Sequence, residues 1–419
     1  MKAPFFRNVM ILIFYNIPSA CVRYTIRMKL KKEAIAINTL HILNDGFKAS
    51  LLLFLPFIAK DLSINLTKVG LLGTAMNSLE IFLAIPAGII ATKIGGFRLL
   101  ILLMIFYAVG YFLASISSLY FTVVIAFVLA GVGFGMFHSV AFAIVSKMFS
   151  KEERGTQLGN FTALAELGRI GVSTVATFVI VLIGWRQTAF FISLLVALVF
   201  IVLYVIFSYR KRNPANSLNE QVGSGPSFRE IVKNKRFLLA TSSFILDTFA
   251  SGSLFIFLPF LLLKRGVAPI YLGALTSTFF LGNMFGKVFL GRLVDRLGNA
   301  KVFIISEYLM ALFIIILAIS NNIPLIIISS IILGIFTKGT VPILTTMVSE
   351  SVDHHGRYEK AFSLNAAFVG IASTTAPLFL GFLSDTFGIV NAFYAASMFA
   401  IFATIPALMY RNTKVESIS

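Results

Sequence analysis

Several ionisable residues stand well inside long apolar runs: His41, Asp45, His138, Glu166, Arg169, Asp247 and Lys338. A charged side chain at the centre of a bilayer costs about 2.5–3.5 kcal/mol or more, so each one calls for a reason. Carboxylates can take up and release a proton, and histidine titrates near neutrality. Lys and Arg offer positive charge to an anion or to a carboxylate. His41 and Asp45 are four apart and share a helix face; Glu166 and Arg169 are three apart and can pair. The chemistry expected is proton exchange beside ionic recognition of a solute, with Asp45, Asp247, His138 and Glu80 on the proton side. His41, Asn44, Glu166, Arg169 and Lys338 are expected to line the solute cavity. Glu80 is read either as an accessory proton site or as a partner of Lys48. Glu307 is expected to pair near the surface and Lys287 to snorkel.

No catalytic residue is expected. There is no nucleophile with a partner base and no Gly-x4-Gly-Lys-Ser/Thr phosphate loop, so ATP does not drive this chain directly. One Cys rules out a thiolate cluster, and no His/Cys group has metal-ligand spacing along the chain. The adjacent His354 and His355, beside Asp353, are the weak exception. No cofactor and no metal are expected.

These side chains need an apolar frame. The chain has 419 residues, 58% hydrophobic and only 12% charged, too few polar groups to cover a water-soluble surface. Its apolar runs are near or above the roughly 20 residues that cross a bilayer as helix. They do not alternate as barrel strands would. We read an all-α membrane protein of twelve spans: 34–59, 66–92, 97–118, 121–148, 156–184, 187–209, 238–263, 270–295, 300–320, 323–349, 359–385 and 389–410. The net charge of +18 does not signal nucleic-acid binding, because Lys and Arg gather in short loops on one side of the spans. The loops of the other side hold only Lys60, Lys68, Arg186, Lys264 and Arg265. The positive-inside rule then puts both termini in the cytoplasm, with the chain in the plasma membrane. Trp185 beside Arg186 reads as an interfacial anchor.

The chain repeats itself. Phe54-Leu55-Pro56-Phe57 recurs as Phe257-Leu258-Pro259-Phe260, and the offset of 203 residues holds for Gly70 and Gly273, Gly88 and Gly291, Gly95 and Gly298, and Gly131 and Gly334. Two pseudo-symmetric six-helix bundles are expected at 33–209 and 238–410. Around them lie an N-terminal extension (1–32), a cytoplasmic linker (210–237) and a tail (411–419). Ser227 before Phe228-Arg229-Glu230-Ile231-Val232 suits a capped surface helix. Two-fold repetition in an apolar chain is how many carriers build a site between rocking halves.

Gly291-Arg292-Leu293-Val294-Asp295-Arg296-Leu297-Gly298, followed by Lys301, resembles the G-x-x-x-D-R-x-G-x-x-K/R signature of the major facilitator superfamily. Its first-half copy runs from Gly88 through Lys93 and Gly95 to Arg98, with Thr92 in place of the acid. The resemblance implies the twelve-helix fold of that family. It also implies a latch between the halves on the cytoplasmic side, strong in the second copy and weak in the first, with Asp295 facing the start of the fifth span. It makes the first, fourth, seventh and tenth spans the cavity walls, and these carry Asp45, His138, Asp247 and Lys338. His41-Ile42-Leu43-Asn44-Asp45 and the Gly-rich run Gly131 to His138 resemble elements of fosmidomycin-resistance-type carriers, which implies efflux of a drug-like or small anionic compound. The fifth-span antiporter pattern is incomplete, since Val172 and Ser173 replace its later Gly-Pro.

The function expected is a monomeric, proton-coupled secondary carrier of a small organic solute, working in the lipid bilayer by alternating access. An uptake carrier or uniporter for a metabolite is the alternative within transport. A membrane sensor or lipid-handling scaffold is the alternative outside it.

Overall fold

The computed structural model describes residues 32–148, 151–208, 228–352 and 359–413. The N-terminal extension, most of the linker, Asp353 to His355 and the end of the tail lie outside the described residues. So does the side chain of Asp295, and with it the expected second-half latch acid.

Every described element is helical. Eleven helices are long and apolar enough to cross a membrane: Ala34–Asp61, Leu66–Ile94, Gly96–Ser115, Tyr120–Ser146, Gln157–Ile183, Trp185–Ile206, Lys235–Lys264, Asn299–Ile319, Ile323–Glu350, Ala361–Phe387 and Ile389–Asn412. Leu272–Leu297, 26 residues long, takes the eighth place in chain order. At 1.5 Å per residue it reaches roughly 39 Å, enough for the hydrocarbon core. We number these twelve helices as spans in chain order. Asparagine side chains start three of them: Asn65 accepts from the Lys68 N–H, Asn234 from Phe237 and Asn322 from Leu325. Each satisfies an N–H that the first helical turn leaves free. The paired glycines Gly95 and Gly298 end the second and eighth spans at φ 92° and 80°. That left-handed backbone is one a side chain would strain.

The first and seventh spans are each interrupted, at Phe54 and at Gly252-Ser253, shortly before Pro56 and Pro259. Pro56 offers no N–H to the Leu52 carbonyl, so the first span yields there; Pro259 lies inside the helix that resumes at Leu254. The short helix Phe228–Lys233 precedes the seventh span, where an amphipathic segment was expected.

Within the first half the first span packs on the fifth, the second on the fourth, and the third on the fourth and sixth. The second half repeats part of this: the eighth packs on the tenth, and the ninth on the tenth and twelfth. The halves meet where the second span crosses the eleventh and the fifth crosses the eighth. Glycines set these approaches, and they obey the repeat. A Cβ at Gly131 would meet the Met76 carbonyl at 2.9 Å, and one at Gly334 would strike the Phe279 carbonyl, the equivalent contact 203 residues on. Gly70 abuts Pro377 across the interface between halves, and Gly273 abuts Ser173 and Thr174 at the pseudo-equivalent place. The Gly-rich run of the fourth span is thus a packing surface: Gly133 faces the Tyr107 ring and Gly135 the Leu79 backbone.

The two sides of the molecule differ. We call the side of the Lys/Arg-rich loops the basic side and the other the far side. On the far side Gly70, Gly73 and Gly381 press against the opposite half. Asp385, near the end of the eleventh span, accepts from the N–H groups of Leu66 and Thr67 at 2.9 and 2.7 Å, and from the Thr67 hydroxyl. It caps the second span from the other half. On the basic side Gly88 and Gly291 have nothing within 4 Å of a hypothetical Cβ. The motif glycines expected to permit close packing therefore pack against nothing in this conformation, and Thr92 turns its hydroxyl to its own helix at Ile89. The halves close on the far side and part on the basic side.

Trp185 is not an interfacial anchor. It is buried, and the Arg186 guanidinium stacks 4.3 Å over its ring. Arg186 also reaches Asp61 at 2.6 Å and the Ser117 carbonyl at 2.8 and 3.0 Å. It ties together loops of the first half on the far side.

Candidate functional site

The first span packs on the fifth because Gly46 and Gly168 remove side chains from the crossing, where Gly168 meets the Ile42 carbonyl. That approach brings Asp45 to Arg169, whose Nη2 donates to the Asp45 carboxylate at 2.7 Å. Arg169 also donates to both oxygens of Glu166 at 3.1 and 3.2 Å. Lys287 of the eighth span completes the chain, donating to Glu166 at 2.8 Å and to the Thr162 carbonyl at 3.1 Å. The snorkelling expected of Lys287 is therefore wrong: its amine crosses to the other half. Asp45 and Glu166 are 1% and 0% exposed, so this Asp–Arg–Glu–Lys line joins the halves out of water. Its two acids match its two cations, which is what lets such charges be buried.

The other oxygen of Asp45 is held from behind. Asn44 donates to it at 2.9 Å, and the buried Tyr107 of the third span donates to Asn44 at 3.2 Å. Asn44 thus lies behind Asp45 as a positioning residue and does not face the cavity as expected. Tyr107 went unnoticed, since its distance in sequence carries no signal. His41 stacks on Phe161 with centroids 4.0 Å apart, and its Nδ1 lies 3.0 Å from the Phe161 carbonyl. That contact makes Nδ1 a donor and leaves Nε2 facing the carboxylate of Asp45 at 3.6 Å. His138 Nε2 lies 3.4 Å from both Asp45 and His41 Nε2, while its Nδ1 is buried with no hydrogen-bond partner. The ligand atoms of His41, Asp45 and His138 fall within 4.8 Å of one another, a convergence in space that sequence spacing hides. Both carboxylate oxygens of Asp45 already accept from Arg169 or Asn44. The group is an ion-pair network in which a metal ion would face the Arg169 charge.

Lys48, one turn beyond Asp45, places its amine 3.4 Å from the Phe134 ring centroid and 3.4 Å from the Asn77 oxygen. Glu80 is exposed on the second span; it forms no close ion pair with Lys48, whose amine instead makes a cation–π contact, but its charge still acts on that amine. Lys338 of the tenth span is half-buried. Its charge and those of Lys48, Asp247, Glu166, Lys287 and Arg169 lie close enough to act on one another. Among the described residues neither Lys48 nor Lys338 has a carboxylate within ion-pair distance. Asp247 is buried on the seventh span, where Thr340 of the tenth donates to it at 3.1 Å.

A sequence profile described as the Major Facilitator Superfamily matches residues 37–268 and 240–418. The chain belongs to that superfamily. It is 26% identical over 398 residues to a "Probable 4-methylmuconolactone transporter" of Cupriavidus pinatubonensis, covering 89% of this chain and 90% of that one. A niacin transporter of Acinetobacter baylyi is 27% identical over 159 residues, 38% of this chain and 36% of the relative. Among solved structures, a bacterial homologue of the human lysosomal transporter Spinster, inward-facing and occupied, superposes with a TM-score of 0.73 at 13% identity. The likeness covers 91% of this chain and 97% of that one. This superfamily member is therefore a multi-pass membrane transporter of the small-metabolite kind, with the all-helical fold expected from its sequence.

Proposed function

We propose that this chain carries a small organic anion across the plasma membrane by alternating access, coupled to protons, with the basic side cytoplasmic and one chain sufficient. The observation that carries the reading is the pair of half-buried amines, Lys48 and Lys338, which have no carboxylate within ion-pair distance among the described residues and flank the neutralised Asp45–Arg169–Glu166–Lys287 line. Charge offset only by carboxylates farther off, in a crevice between two halves, suits a solute that brings a negative charge into contact. The side groups around it are aromatic, Phe134 and Phe161 foremost, which suits a flat or apolar body on that anion.

The relatives named as 4-methylmuconolactone and niacin transporters support a small metabolite of this kind. The likeness of the His41–Asp45 and Gly131–His138 elements to fosmidomycin-resistance-type carriers supports efflux. Uptake of a metabolite fits the same site equally, and the direction of the imposed gradient that drives flux decides between them.

The test is transport in proteoliposomes, with radiolabelled niacin and a panel of small carboxylic acids as probes. At least one acid should accumulate against its gradient when a pH difference is imposed, and an uncoupler should abolish the accumulation. Lys338→Ala should weaken that acid's binding about tenfold, equivalent to about 1.4 kcal/mol. Equilibration without accumulation would remove proton coupling. Failure to move any acid while a neutral or cationic solute is moved would remove the anion.

A further inference from the structure

Glu307 was expected to pair near the surface, and it does not. It sits on the ninth span at 0% exposure, in side-chain hydrogen-bond contact with the carboxyl of Asp247. Neither Glu307 oxygen has an N–H or O–H donor among the described residues. The one donor on the Asp247 side is the Thr340 hydroxyl. The groups that face the pair are accounted for span by span. From the tenth come the Thr340 hydroxyl and the charge of Lys338, which acts on Asp247; among the described residues no charged side chain of the eleventh or twelfth span is in ion-pair contact with either carboxyl.

Two ionised carboxylates in contact, both out of water and with one hydroxyl donor on Asp247 alone, would repel with little to offset it. A carboxylate has no hydrogen to give, so a hydrogen bond between the two requires that one of them carry a proton. Asp45 is the opposite case, because Arg169 sits on it at 2.7 Å and supplies a full compensating charge. We propose that Asp247 and Glu307 share a single proton and form a protonation site separate from the Arg169 network, walled by the seventh, ninth and tenth spans. This deepens the proton-coupled reading given above: the coupling proton resides on this pair, and Asp45 stays ionised. Because the pair joins the seventh span to the peripheral ninth, losing its proton would leave two negative charges in contact. Protonation then favours the contact of these two side chains seen here, and deprotonation favours a separation that admits water or the Lys338 amine.

Infrared difference spectroscopy on the purified protein, titrated with pH and repeated in heavy water, reads this without any solute. The wild type should show a protonated-carboxyl C=O band at neutral pH that shifts in heavy water. Glu307→Gln and Asp247→Asn should each shift the band, and the double variant should lose it. Asp45→Asn should leave it in place. A folded double variant, checked by circular dichroism and gel filtration, guards against loss by misfolding, and Glu307→Asp should keep a shifted band. Absence of the band in the wild type, its persistence in the double variant, or its loss in Asp45→Asn alone would overturn the assignment. Transport data stand apart from this result: a chain that moves no acid but keeps the band sinks the anion-carrier reading and leaves the shared proton.

Discussion

Arg169 is the residue on which the site turns. It holds two buried acids from one guanidinium, so truncating it strips Asp45 of its cation and leaves Glu166 with Lys287 alone. Arg169→Ala is expected to destabilise the protein by about 3–5 kcal/mol, since removing one partner of a buried pair strands the other charge. Arg169→Lys keeps the charge but not the fork, and should fold while losing solute exchange. Thermal unfolding in detergent and counterflow in proteoliposomes measure the two effects separately. Lys287→Met should also be tolerated poorly, with a loss of stability that Glu166→Gln in the same chain partly relieves. A loss in the double variant equal to the sum of the two single losses would show that the two groups do not interact. Much of this site was legible from residue types: ionisable groups in apolar runs, His41 and Asp45 on one helix face, Glu166 beside Arg169. What was not legible crosses between helices. Tyr107 behind Asn44, Lys287 on Glu166 and Glu307 against Asp247 join residues tens to more than a hundred positions apart. Their meetings depend on which face of each span turns inward, and uniformly apolar helices carry no periodic signal for that.

At the scale of the element, the glycines and the Asp385 cap decide how close the helices come. Gly168→Leu puts a side chain where the Ile42 carbonyl lies and should prevent the first and fifth spans from crossing, read as loss of folded protein on gel filtration. Gly88→Ala meets open space and should leave expression and thermal stability unchanged. Asp385→Ala removes a carboxylate cap of the kind worth about 1–2 kcal/mol, shifting the balance between far-side closed and open forms about tenfold toward open. Spin labels at the exposed Lys68 and Thr386 should report a longer distance in the variant, while an unchanged distance would mean the cap is incidental. The boundaries of the spans were readable from apolar runs to within a few residues. The breaks at Phe54 and Gly252 were not placed in advance, because a proline marks a weak turn without saying which hydrogen bond is given up.

For the whole molecule, the duplication carries most of the fold. An offset read from a four-residue string reappears in the contacts of Gly131 and Gly334, so sequence symmetry became spatial symmetry. The departures from that symmetry are where the halves divide their labour. The first half holds the guanidinium, both histidines and both carboxylates of the network, and the second holds Lys287 and the separate Asp247–Glu307 pair. Asp385 is another departure: 203 residues earlier, beside the fifth span's far end, stand Val181 and Leu182, which can cap nothing. One flank of the far-side seam is thus fastened by a charge, and the other by close packing and neutral hydrogen bonds, Thr174 with Ser277 at 2.7 Å and Ser277 to the Ile170 carbonyl at 3.2 Å. A seam fastened more weakly on one flank peels from that flank, so the passage should first admit water between the fifth and eighth spans. A solute arriving from that side would meet the Lys287 corner of the crevice before any other part of it.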